Sequence, residues 1–396
     1  MNFEFYNPTR VLFGAGNLEK LGEVVKEYGH KALLVTGGGS VKRNGTFDKA
    51  VTSLKKAGID FIECDGIAPN PRISSVRKGA KLVKDNNCDV VVALGGGSVM
   101  DCSKAIAAGA MYDGDPWDMI YHGQENVYIP KEALPVITVP TLAATGSEMD
   151  PDGVISNEDT KEKSFVHSEV LYPKVALVDP ELTLTVPQNQ TGYGVCDIIV
   201  HITESYFNGV DGTPLQDSFS LSTIKNCIFY GLKAYENGHD LEAREQVQWD
   251  SIVALNGFIS CGTHGAFPVH MIEHTVSGIH DITHGAGLAI INPAWMKFTI
   301  RHGGNLKKFV DFATFLFDVK DSGDDEETAL KGVAKYEEFL KKIGCPTRFK
   351  DLDIDESRFE DYADITLKVI HDENGRLPAR PALSKADIIE ILNLAR

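Results

Sequence analysis

Four of the chain's twelve histidines fall in one short stretch, His270-x3-His274-x5-His280-x3-His284. Imidazole is the commonest metal ligand among side chains, and the only one whose unperturbed charge change lies near neutral pH. Such a cluster points to a metal site or a proton relay. His270 and His274 are four apart and share one helix face. Upstream, Asp197 and His201 repeat that spacing within Gly194-Val195-Cys196-Asp197-Ile198-Ile199-Val200-His201, where the residues between them are apolar. A buried Asp–His hydrogen bond is one reading of this pair, and half of a metal site is the other. Four ligands can be assembled from Asp197, His201 and two of the later histidines. Three neutral imidazoles and one carboxylate leave a divalent cation with net positive charge. Oxygen and nitrogen donors without thiolate suit Fe(II) or Zn(II). Such a site is able to polarise a carbonyl.

The elements that must position these groups differ between the two halves of the chain. Apolar runs over 31–36, 60–64, 89–94, 134–140 and 175–179 read as strands. Helical patterns fall between them, at 47–57, after Pro71 (Val76, Ala80, Val83) and at 102–111. This alternation predicts an α/β domain, a parallel sheet with helices on both faces. Two glycine turns, Gly37-Gly38-Gly39-Ser40 and Gly95-Gly96-Gly97-Ser98, each follow a strand and precede a helix. Glycine lets backbone amides approach a phosphate, and the helix N-terminus adds partial positive charge. Two such turns on the carboxyl edge of one sheet imply a dinucleotide. Neither matches GxGxxG or the Walker lysine pattern, so the unit is related to the standard dinucleotide fold but distinct from it. No Asp or Glu stands in the first turn, and Ser40, Lys42 and Arg43 follow it, which favours NADP(H) over NAD(H). The run Thr141 to Glu148 either lines the phosphates and nicotinamide or is an uncommitted loop. Lys163 reads by default as a surface lysine.

After Val186-Pro187 the strand signals fade, which divides the chain into 1–185, a dinucleotide-binding α/β domain, and 186–396, an all-helical metal-binding and catalytic domain. Gly278 is expected to end the helix carrying His270 and His274, and another begins at His284. The acidic run 321–327 reads as a solvated loop. A net charge of -17 argues against nucleic acid or an anionic membrane as partner. No stretch approaches the roughly 20 apolar residues of a membrane span. The seven scattered cysteines lack a CxxC, and the start of the chain lacks a signal-peptide pattern, so a cytoplasmic protein with reduced thiols is expected. Trp249, Phe258 and Phe267 suggest a pocket for short aliphatic chains.

With both halves in view, the chain resembles the iron-containing alcohol dehydrogenase family, most closely its butanol-dehydrogenase-like aldehyde reductases. The likeness is carried by Phe5-Tyr6-Asn7-Pro8-Thr9, the two glycine turns with Val99-Met100-Asp101, and Pro69-Asn70-Pro71. It continues through Ala144-Thr145-Gly146-Ser147-Glu148, Val178-Asp179-Pro180, Asp197-x3-His201, Leu255-Asn256-Gly257 and the histidine spacing. The resemblance implies a dehydroquinate synthase-like fold and hydride transfer between NADP(H) and a short-chain primary alcohol or aldehyde. It implies metal ligands at Asp197, His201, His270 and His284. His274 and His280 would line the active site as proton-handling residues, and Lys163 would reach the cofactor and active site. Cofactor contacts would fall on Gly38, Gly39, Ser40, Asn70, Gly96, Gly97, Ser98, Asp101, Thr138, Thr141, Leu142, Thr145 and Ser147. A homodimer is the family-level expectation. One departure is the apolar Gly265-Ala266-Phe267-Pro268-Val269, where relatives often place a polar residue.

Other readings compete. His270-Met271-Ile272-Glu273-His274 matches HxxEH, a zinc-peptidase pattern with Glu273 as general base. That reading leaves Asp197, His201, His284 and both glycine turns without a task. A lyase on the same fold, similar to dehydroquinate synthase, and a catalytically inert binding protein are the other two.

Overall fold

The computed structural model describes residues 2–124 and 126–396. They form two compact units. Tyr6–Val186 and Gly238–Gln248 make the first, and Pro187–Asn237 and Trp249–Arg396, with the N-terminal residues through Phe5, make the second. Besides the expected change near residue 185, the segment Gly238–Gln248 thus belongs to the first unit.

Eight strands lie in the first unit: β1 (Arg10–Phe13), β2 (Lys31–Gly37), β3 (Asp60–Ile67), β4 (Val90–Gly95), β5 (Val136–Pro140), β6 (Asp152–Asn157), β7 (Glu162–His167) and β8 (Val175–Val178). Its helices are α1 (Leu21–Lys26), α2 (Ser40–Arg43), α3 (Thr46–Lys56), α4 (Ile73–Asn86) and α5 (Gly97–Gly109). Six strands pair in the order β1-β8-β5-β4-β2-β3, all parallel. Successive side chains of a strand face opposite ways, and each face here meets its own core. Leu33, Val35, Val91 and Ala93 pack with Val76, Met100 and Ile106 of α4 and α5. Ala32, Leu34, Val90 and Val92 pack with Val25 and Leu54 of α1 and α3. Covering on both faces is why these strands read as unbroken apolar runs.

The strand order fixes where a ligand belongs. From β2 the chain moves outward to β3, then returns to place β4 on the other side of β2 and continues through β5 to β8. The carboxyl ends of β2 and β4 therefore flank the topological switch point, the usual ligand crevice of such sheets. Both glycine turns sit at those two ends.

The antiparallel hairpin β6–β7 was not expected from the sequence. Its strands are rich in polar residues, and only Ile155 and Val166 reach the apolar core. The pairing puts Lys163 opposite Ser156 and leaves it 5 % exposed, which corrects its reading as a surface lysine.

The second unit holds α6 (Gln188–Phe207), α7 (Pro214–Glu236), α9 (Pro268–His280), α10 (His284–Arg301), α11 (Leu306–Phe317), α12 (Asp325–Lys342), α13 (Phe359–Val369) and α14 (Lys385–Leu394), while α8 (Leu241–Leu255) begins within Gly238–Gln248. The helix α6 is buried along nearly its whole length. Two local expectations are corrected. Gly278 lies inside α9, because Asp281, at φ 53°, takes the left-handed position that ends the helix. The acidic run is no loop throughout, because Asp324 caps α12 by accepting from the Glu327 amide and Asp325, Glu326 and Glu327 form its first turn. Acids there complement the helix dipole. All seven cysteines are free, and no helix among the described residues is long and apolar enough to cross a membrane.

One buried ion pair ties α5 to the segment before β6. Lys104, 0 % exposed, donates to Asp150 Oδ1 at 2.7 Å and to the Asp152 carbonyl at 2.8 Å. Removing one partner of a buried pair costs about 3–5 kcal/mol. Lys104→Met is expected to destabilise by about 3 kcal/mol in urea titration, and adding Asp150→Asn should recover much of that loss.

Candidate functional site

Four side chains from three helices converge in the second unit. Helix α6 presents Asp197 and His201 one turn apart, α9 presents His270, and His284 opens α10. The Nε2 atoms of His201, His270 and His284 lie 3.6, 3.7 and 3.7 Å from Asp197 Oδ1. The donor atoms of Asp197, His201 and His270 all lie within 4.8 Å of one another, close enough for one cation to meet all three, and His284 Nε2 faces the same Asp197 oxygen. Asp197 Oδ1 and His270 Nε2 are buried without a hydrogen-bond partner. Polar atoms buried in that state cost about 1–3 kcal/mol each. A cation at their common focus removes that cost, so the donor set fits a divalent metal.

The electrostatics set the donors apart from one another. Burial alone would raise the Asp197 carboxyl, but His201, His270 and His284 override it and hold it well below the usual carboxylate range. Burial pushes His201 down to about 3, which keeps it neutral. Burial also opposes charge on His270, but Glu204 and Asp197 outweigh it and lift that ring to about 10.

Two carboxylates orient the imidazoles: Glu204, which the sequence did not single out, and Glu273, which it offered only as a peptidase base. His270 Nδ1 bonds Glu204 Oε2, and His284 Nδ1 bonds Glu273 Oε2. Glu204 and Glu273 are fully buried. A carboxylate on Nδ1–H fixes the ring orientation that turns Nε2 toward Asp197, where a bound cation would take the place of an Nε2 proton. Their signal was an acid three residues after a histidine on an otherwise apolar helix, His201 to Glu204 and His270 to Glu273. The peptidase reading fails here, because Glu273 is engaged by His284 and His270 converges with Asp197 and His201 rather than with His274.

His274 adjoins this group, its ring centroid 5.5 Å from that of His284 and 6.3 Å from that of His270. His280 turns instead to α13, with Nε2 2.5 Å from the Tyr362 hydroxyl. Phe267 meets the His270 ring edge to face at 5.6 Å. Trp249 and Phe258 are 45 % and 46 % exposed, and Phe258 packs against Phe5 and Phe219.

The first unit carries the candidate dinucleotide residues. Gly39, at φ 97°, precedes α2, and a side chain on Gly38 would meet open space. A Cβ on Gly97 would come within 2.5 Å of Thr145, so only glycine allows α5 and the Thr141–Ser147 segment to approach this closely. Leu142 packs over Gly96, the Thr141 amide donates to the Gly95 carbonyl at 3.0 Å, and Thr138 is buried in β5. Ser98 is half-buried in the first turn of α5. Asp101 accepts from the Ser147 hydroxyl at 2.6 Å and from the Val154 amide at 3.1 Å, so these two residues brace one another. Lys163 donates to Asn70 Oδ1 at 3.0 Å, and both are buried. Lys42 is not the uncommitted cation that the sequence suggested, because it pairs with Glu63 and Asp65 of β3.

Comparison with known proteins gives a consistent result. Residues 8–180 match the family described as iron-containing alcohol dehydrogenase, and residues 191–395 match the C-terminal region of the Fe-containing alcohol dehydrogenase family. The chain is 43 % identical over 392 residues to a probable NADH-dependent butanol dehydrogenase 1 of Bacillus subtilis, covering 99 % of this chain and 98 % of that one. It is 34 % identical over 359 residues to the NADPH-dependent aldehyde reductase YqhD of Escherichia coli, covering 90 % of each. The solved structure of NADH-dependent butanol dehydrogenase A from Thermotoga maritima superposes with TM-score 0.94 at 40 % identity, covering 100 % of this chain and 98 % of that one.

Loss of an orienting carboxylate typically weakens metal binding by about 10–100-fold. Glu273→Gln is therefore expected to lower affinity for Zn(II) by about 10–100-fold, measured by chelator competition, with the helical circular dichroism unchanged.

Proposed function

Because the chain belongs to the iron-containing alcohol dehydrogenase family, we propose that it interconverts short-chain primary alcohols and aldehydes with NADP(H). The observation that carries the site assignment is the convergence of three imidazole Nε2 atoms on Asp197 Oδ1. Asp197, His201, His270 and His284 would hold one divalent cation, Fe(II) or Zn(II), since the same donors accept both. When bound, that cation supplies Lewis acidity toward the substrate oxygen, and the nicotinamide supplies the redox equivalent.

The protein's own groups would do the rest. Glu204 and Glu273 keep the imidazoles in one tautomer, so no ligand reorients during turnover. The amides of the two glycine turns and the α5 N-terminus receive the pyrophosphate. Thr145, braced through Ser147 and Asp101, and the Asn70–Lys163 pair face the cofactor. His274, beside the ligands, and His280, at the end of the same helix, handle the proton that the alcohol releases and the aldehyde takes up. Phe267 gives the substrate chain an apolar wall. A homodimer in the cytoplasm completes the proposal.

Cofactor choice rests on the first turn. The absence of an acid from Gly37 to Ser40 and the NADPH-dependent Escherichia coli relative support NADP(H). NAD(H) is the second reading, favoured by the pairing of Lys42 with Glu63 and Asp65 and by the NADH-dependent names of the butanol dehydrogenases.

Metal-loaded protein with butanal should oxidise NADPH, followed at the reduced-nicotinamide absorbance band. No oxidation of either reduced cofactor with any small aldehyde would overturn the proposal. His274→Ala should lower kcat by about 10²-fold while metal content stays near the wild-type stoichiometry. A mutant that loses its metal would instead make His274 a ligand. Gly37→Asp has room for its Cβ, whose nearest neighbours lie at 3.4 Å. It should cut kcat/KM for NADPH by about 10–100-fold and spare NADH, as an acid there favours a ribose hydroxyl over a phosphate.

A further inference from the structure

His280 ends α9, but its ring is held from another helix. Its Nε2 lies 2.5 Å from the Tyr362 hydroxyl, and that hydroxyl lies 3.0 Å from the Asp355 carbonyl oxygen. A carbonyl can only accept, and a phenol has one proton to give. The phenolic proton therefore goes to Asp355, and the phenolic oxygen accepts from His280 Nε2–H. A neutral ring in this tautomer carries its lone pair on Nδ1.

The phenol cannot readily leave this position. Tyr362 is 0 % exposed, and its ring stands edge to face with His280 at 5.7 Å. One turn further along α13, Thr366 Oγ1 lies 2.9 Å from Thr275 Oγ1 of α9, a second side-chain tie between the two helices. The charged groups around the pair are Arg358, Asp355 and Asp361. Arg358 lies over the Tyr362 ring at 5.8 Å and pairs with Asp361 at 3.2 Å, while the Asp355 carboxylate caps Ser357. Burial and Arg358 lower the His280 pKa, against the pull of Asp355.

We propose that Tyr362 is a positioning residue for the proton step, locking His280 in its Nε2–H tautomer so that Nδ1 takes up or releases the substrate proton. This rests on the reading above that His280 handles that proton. The step balances: the alcohol gives two electrons and one hydrogen to the oxidised cofactor, and its hydroxyl proton goes to Nδ1 and then to water. Tyr362 acts as a lock and not as a wire, because the Asp355 carbonyl at the far end cannot carry a proton onward. The bond from Nε2–H to the phenol is the same before and after Nδ1 is protonated, so the ring need not reorient. A neutral acceptor also avoids the rise in basicity that a carboxylate would impose, which lets the proton leave again.

Two measurements test this. Nitrogen-15 spectra of histidine-labelled full-length protein should show His280 as the Nε2–H tautomer, with that preference lost in Tyr362→Phe. An Nδ1–H tautomer in the wild type would overturn the lock, whatever the activity. In steady-state kinetics Tyr362→Phe should lower kcat by roughly tenfold, leaving metal content and KM for NADPH unchanged. Tyr362→Phe should add nothing to His280→Ala, and free imidazole should restore part of the turnover of His280→Ala and of the double variant alike. Unchanged kcat in Tyr362→Phe, or effects that multiply in the double variant, would overturn the proposal. A wild type without aldehyde-dependent oxidation of NADPH or NADH would instead refute the functional reading on which it rests, and the tautomer would still be measured.

Discussion

A carboxylate oxygen at 2 % residue exposure, facing three imidazole nitrogens and accepting no hydrogen bond, is an expensive arrangement. Burial of an ionised acid is tolerated only with close compensating charge. Asp197 receives it from His270, whose ring Glu204 and Asp197 make more basic, while His201 and His284 turn their Nε2 atoms to the same oxygen. Much of the second unit follows from this requirement. Helix α6 is buried on all sides and sets Asp197 and His201 one turn apart, while α9 and α10 bring their histidines to the same oxygen.

The imidazoles are themselves constrained. Glu204 and Glu273, both fully buried, take the Nδ1–H of His270 and His284. Each carboxylate is tolerable only because its imidazole partner is there, and each imidazole points inward only because its carboxylate is there. This mutual dependence holds the imidazoles in one geometry around Asp197. It also explains why Glu273 has no part in peptidase chemistry. His280 is restrained by a different kind of group, a neutral phenol, and burial with Arg358 lowers its affinity for a proton.

In the first unit the governing constraint is backbone approach. The sheet order places the ends of β2 and β4 side by side at the switch point. Gly97 then allows Thr145 and the α5 N-terminus to share a space that a methyl group would fill. Asp101 and Lys104, one helical turn apart on α5, hold the segment from Ser147 to Val154 in place. Residues that the family likeness named as cofactor contacts thus include some, such as Asp101 and Ser147, whose polar atoms serve one another.

The sequence alone determined the periodic and the spaced features. Unbroken apolar runs announced the parallel strands, glycine turns announced the crevice, and two i,i+4 pairs announced the ligand candidates, because each of these signals is local along the chain. Tertiary structure decided what no local pattern contains. It chose which imidazoles meet Asp197, since His270 and His284 reach it from separate helices while His280 turns away to Tyr362. It recruited Glu204 and Glu273, buried Lys163 against Asn70 through a hairpin with little apolar signal, and set Glu63 and Asp65 beside Lys42 from a neighbouring strand. These outcomes depend on the packing of distant segments, and a partner's identity across such a contact is fixed only when the chain has folded.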